Sequence, residues 1–66
     1  MFSYRPLIIM ITVDRKLKIS NVCKECGMSH NVGRNIMDNK SIEIKNLVKI
    51  CEYLGITLDQ AIDINL

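Results

Sequence analysis

The fifteen residues from Val22 to Ile36, VCKECGMSHNVGRNI, constrain this chain more than any other segment. An apolar pair, Val22 and Cys23, is followed by Cys26, Gly27, Met28 and Ser29. Gly27 suits the left-handed conformation that closes a helix, because a residue without Cβ enters it at no steric cost. Ser29 suits the N-cap of a following helix, where its hydroxyl can accept a free backbone N–H. Two short helices joined by so tight a turn make a helix-turn-helix unit, whose second helix is built to enter the major groove. That second helix, about Ser29 to Asp38, carries His30, Asn31, Arg34 and Asn35 at i, i+1, i+4 and i+5. This spacing puts all four on one polar face.

Sixty-six residues make one small domain over 1–66, which needs a well-packed core to be stable. The net charge of +2 is uninformative until it is divided. Residues 1–40 hold seven Lys and Arg against three acids, +4, whereas residues 41–66 hold two against four, −2. Positive potential therefore gathers around the helix-turn-helix, where phosphates would be met. Lys18, Ser20 and Asn21 at the start of the first motif helix, and Lys40 after the second, fit phosphate contacts that fix register. Ser29, His30, Asn31, Arg34 and Asn35 fit base contacts, with Asn matched to adenine N6/N7 and Arg to guanine O6/N7.

The apolar run Leu7 to Val13 is far short of the roughly 20 residues of a membrane span. An odd count of three cysteines and no secretory leader point to the cytoplasm and to free thiols. Cys23 and Cys26 form a C-x-x-C, but Cys51 and His30 are the only further soft ligands. His30 is expected on the DNA face and Cys51 in the core, so the cysteines read as core residues, with no metal and no cofactor. A single His without an activating partner gives no basis for an enzyme or a small-molecule substrate.

Elsewhere, Pro6 fits the first turn of a helix running to about Lys16. Leu7, Met10 and Ile11 face its core, and Ile8, Ile9, Thr12 and Val13 lie outside. The motif's first helix runs from Ile19 or Ser20 to Cys26, and Asn39, Lys40 and Ser41 form a turn after the second. A fourth helix, about Glu43 to Leu54, buries Ile44, Leu47, Val48, Cys51 and Leu54, and Gly55 ends it. Thr57 and Gln60 make a capping box for a fifth helix to about Ile64. The expected fold is all-α, a compact five-helix domain. Some of the surplus apolar residues Ile8, Ile9 and Val13 are expected to join Ile64 and Leu66 in contact with another protomer or partner protein; the alternative is that the fifth helix folds back and covers them within one chain.

In this order, the segments resemble the lambda Cro and cI repressor class of helix-turn-helix proteins, the XRE family. The resemblance rests on Ser3-Tyr4-Arg5-Pro6-Leu7, on VCKECGMS, and on IEIKNLVKICEYLGITLDQAID, where Leu47, Lys49, Ile50, Cys51, Glu52, Leu54, Leu58 and Ile62 fall in place. It spans nearly the whole chain and implies a lambda-repressor-like fold. It also implies a sequence-specific transcriptional regulator, a repressor, bound as a homodimer to double-stranded DNA. The alternative is a helix-turn-helix protein-interaction module, or an antagonist of another regulator. One departure bears on the reading face. Gly33 stands where the family places a core Ile, Val or Leu, a loss that Val32 or Met37 would have to cover by rotating inward.

Overall fold

In the computed structural model, which describes residues 2–64, helices follow one another almost without spacers. They are α1 (Arg5–Ile9), running directly into a π-helical turn (Met10–Asp14), then α2 (Ile19–Glu25), α3 (His30–Met37), α4 (Ile44–Leu54) and α5 (Leu58–Ala61). A two-residue strand at each end, β1 (Phe2–Ser3) and β2 (Asp63–Ile64), pairs antiparallel with Phe2 opposite Ile64. The five-helix, all-α plan holds, with this small ribbon added to it. The fifth helix, expected to reach Ile64, stops at Ala61, and Ile62 turns extended to feed β2.

Helix ends follow from left-handed residues. Lys16, Gly27, Asn39 and Gly55 all have φ between 54° and 73°. At Gly27 the N–H of Met28 donates to the Cys23 carbonyl (2.9 Å), and the N–H of Gly27 donates to Lys24 (3.0 Å). The same pair of bonds recurs at Asn39 and Gly55, so three helices end in Schellman turns. The π-helical turn follows from a wider bond, Arg15 N–H to the Met10 carbonyl at 3.1 Å. Just before it, Thr12 Oγ1 donates back to the Ile8 carbonyl at 2.7 Å. Gln60 was expected to box with Thr57, and its Oε1 accepts the Thr57 N–H at 2.9 Å.

Tyr4, Leu7, Ile11, Val22, Cys23, Ile36, Leu47, Ile50, Cys51, Leu54 and Ala61 fill one core. Phe2 stacks edge-on against Tyr4, centroids 5.2 Å apart. Burial pushes the Tyr4 phenol above its ordinary range, partly offset by a backbone hydrogen bond with Ile42.

One helix, α4, is rotated relative to the sequence reading, whereas the first helix faces the core as expected. On α4, Ile50 is buried, whereas Ile44 (64% exposed) and Val48 (37%) are not. Leu47, Ile50, Cys51 and Leu54 form an i, i+3, i+4, i+7 stripe; Val48 lies about 100° round the helix from Leu47, and Ile44 is its first residue. On α1, Leu7 and Ile11 are buried and Met10 is half-buried, whereas Ile9 and Val13 stay exposed. Ile8 instead packs half-buried against the core, and α5 folds back onto α1. The expected contact through Ile64 and Leu66 falls on side chains outside the described residues.

Candidate nucleic-acid interface

The geometry of α3 is set by its burial. Gly33 and Ile36 face inward and Val32 is half-buried, while Ser29, His30, Asn31, Arg34 and Met37 are exposed. Gly33 does not rotate the helix. Its inward position lets α3 approach α2 closely: a Cβ there would meet Cys23 Sγ at 3.5 Å and Ile19 Cγ2 at 3.6 Å. Both are ordinary van der Waals distances. Met37 accordingly stays outside, 57% exposed, and no inward rotation compensates.

Ser29 occupies the N-cap with extended backbone, as its sequence position suggested, but its hydroxyl makes no capping bond. That oxygen is left facing solvent beside His30 and Asn31. The side chains expected on one face divide between two grooves. His30 and Arg34 line one together with Lys18 and Ser20, bringing candidate base and phosphate contacts from α3 and α2 to a shared surface. Asn31 and Asn35 line another, toward the turn after α3, beside Ser41, Glu43 and Asn46. Asn35 is half-buried, and its carbonyl accepts the Lys40 N–H at 2.7 Å, fixing Lys40 one turn beyond the helix. Asn21 borders one groove with Lys24 and Tyr53 and another with Ser20 and His30.

Electrostatically this face is open. The one ion pair among the described residues joins Lys45 and Glu43 (3.4 Å), both largely exposed, a pairing of little energetic weight. Lys18, Arg34 and Lys40 therefore enter no ion pair among the described residues. Arg15, counted with the positive half of the chain, is committed elsewhere. Its guanidinium donates to the Leu54 carbonyl and so caps the C-terminus of α4, where a cation is favoured.

Sequence reasoning missed Thr12, Leu17 and Met37, which join His30 and Arg34 around the first groove. Leu17 follows the left-handed Lys16, and that turn swings it onto this face. Only the i, i+3, i+7 spacing of His30, Gly33 and Met37 hinted at such a stripe.

Cys23 and Cys51 are buried and Cys26 is half-buried, all three as free thiols. Burial pushes each thiol above its ordinary value; Cys26 raises Cys23 further, while at Cys26 itself the nearby Lys49 lowers the value and Glu25 raises it. Among the described residues, no three His, Cys, Asp or Glu side chains gather as metal ligands. No helix is long and apolar enough to cross a membrane.

Residues 8–65 match the family model of the Cro/C1-type HTH DNA-binding domain, and the chain belongs to that family. No curated protein and no solved structure matches it.

Proposed function

We propose that the protein is a sequence-specific transcriptional regulator that inserts α3 into the major groove of double-stranded DNA and acts as a cytoplasmic repressor. The observation that carries this reading is the shared surface of α2 and α3. There His30 and Arg34 stand beside Lys18 and Ser20, and neither Lys18 nor Arg34 enters an ion pair among the described residues. In the proposed complex, Lys18, Ser20, Asn21 and Lys40 take phosphates and set the register. Ser29, His30, Asn31, Arg34 and Asn35 meet base edges, Arg34 as a bidentate donor to guanine. A domain with one reading helix acts most simply by occupying its site and blocking other proteins there.

A homodimer belongs to the same proposal. The described molecule measures 32 × 23 × 19 Å, and its one reading helix cannot reach two half-sites about 34 Å apart. The exposed apolar side chains Ile44, Val48 and Leu58 on α4 and α5 offer a surface for a second copy. A gel shift with random-sequence duplex tests the reading. Binding that weakens steeply between about 50 and 200 mM salt is expected. No shift at the lower salt would overturn it in favour of a protein-interaction role.

A further inference from the structure

Two apolar grooves of similar size open on this small molecule, and their rims carry opposite charge. One, of about 570 Å³, lies between α4 and α5 over Leu47 and Ile62, edged by Asp59 and Asp63. The other, of about 540 Å³, lies between the π-helical turn, the start of α2 and α3. Leu17, Ile19 and Met37 give it apolar walls, and Lys18, His30 and Arg34 stand around it without an acid among its lining residues. Both volumes fall in the range of small-ligand sites.

The second groove owes part of its space to Gly33. A Cβ on that residue would already touch Cys23 Sγ and Ile19 Cγ2, so the outer atoms of a larger side chain would take up groove volume. We infer that this groove binds a small organic anion with a compact apolar body, a carboxylate or sulfonate on an aromatic or short aliphatic frame, and that its occupancy excludes DNA. The anion meets Lys18 and Arg34 while the apolar body lies on Leu17, Met37 and the Gly33 backbone. The exclusion rests on the function proposed above, because the ligand and the duplex would use the same cations. By linkage, each then weakens the other by the same factor.

The test uses 1-anilinonaphthalene-8-sulfonate as the probe, read by fluorescence and by amide shifts of the intact protein. The expected result is one dye per protomer, with shifts at Leu17, Gly33 and Met37 and none at Leu58 or Ile62. N-phenyl-1-naphthylamine, which lacks the sulfonate, should bind at least about fivefold more weakly, since the cationic rim has nothing to pair with. Gly33→Val should weaken the dye at least fivefold by filling the notch. Leu17→Gln, at an exposed edge where the fold is not at stake, should weaken it too. Shifts at the α4–α5 groove, equal affinity for the neutral analogue, or indifference to Leu17→Gln would overturn the site. Duplex DNA that binds without displacing the dye overturns the exclusion and leaves the DNA reading intact. Dye held in the groove by a protein with no affinity for DNA keeps the anion site and removes the DNA reading.

Discussion

Gly33 lies buried in the middle of α3, facing Cys23 and Ile19 of α2. Read along the chain, a glycine in mid-helix signals lost propensity and a lost core contact. In three dimensions it is a buried residue at a close helix crossing, where a Cβ would be in contact with Cys23 and Ile19. Helix periodicity could place it inward, but no pattern within α3 reports how near α2 comes. Because a Cβ there meets ordinary contact distances, Gly33→Ala should stabilise the fold by about 0.5–1 kcal/mol. Urea unfolding checks this, and a loss of stability would mean the crossing is tighter than described. The spacing i, i+1, i+4 and i+5 gathers the polar side chains of α3 on its outer side. Their division into two grooves depends on the flanking turns and was not legible. Arg34→Ala should cost about 1–3 kcal/mol and relax base preference at one or two positions. Lys18→Ala should weaken all sequences alike and lower the salt slope by about one. Binding measured on a panel of duplexes separates these two outcomes, and the reverse pattern would exchange the roles of the two residues.

Among the elements, the helices and the turns at Gly27, Asn39 and Gly55 were legible, and the pairing of the two chain ends was not. Gly27, Gly55 and Thr57 announced ends of α2, α4 and α5, because each solves a local backbone problem, whereas Ser29 marked the start of α3 by position without a capping bond. The terminal ribbon was illegible, since two residues on each strand give no alternation to read. Its anchor is Asn39, expected only as a turn residue. Left-handed at φ 57°, it closes α3 and turns its amide onto the N-terminal strand. Asn39 Oδ1 accepts the Tyr4 N–H at 3.1 Å, and Nδ2 donates to the Phe2 carbonyl at 2.9 Å. One side chain thus ties the end of α3 to β1, and through it to β2. Asn39→Gly keeps the backbone conformation but removes both bonds. It should cost about 1–2 kcal/mol in thermal or urea unfolding, with faster amide exchange at Tyr4. An unchanged exchange rate there would show that the clamp does not hold the strand.

At the scale of the molecule, the described residues include twelve buried apolar side chains and no buried charge, so the core holds no group that gains or loses charge at neutral or mildly acidic pH. Its alkaline edge is set by the thiols. Burial holds the pKa values of Cys23 and Cys51 above their ordinary 9.0, so the neutral thiol is favoured in the folded state. The corresponding stability is fully present below pH 9.0 and is lost as pH rises through the raised folded values. Melting temperature should therefore fall above that pH, and less so in Cys23→Ala/Cys51→Ala; equal slopes for the two proteins would place the alkaline edge elsewhere. The amphipathic stripe of α4 was legible only as a stripe. With Ile44, Leu47, Val48, Ile50, Cys51 and Leu54 all apolar, its centre depends on where α1 and α5 sit, and Ile44 and Val48 consequently emerge on the surface.

The account turns on α3 reading DNA from a two-fold assembly, and selection of duplexes from a random pool by the wild-type protein tests this most directly. The predicted result is an enriched inverted repeat whose half-site centres lie about one helical turn apart, bound by two protomers. A pool that yields no enriched sequence, or a single unrepeated element bound by one protomer, would contradict it.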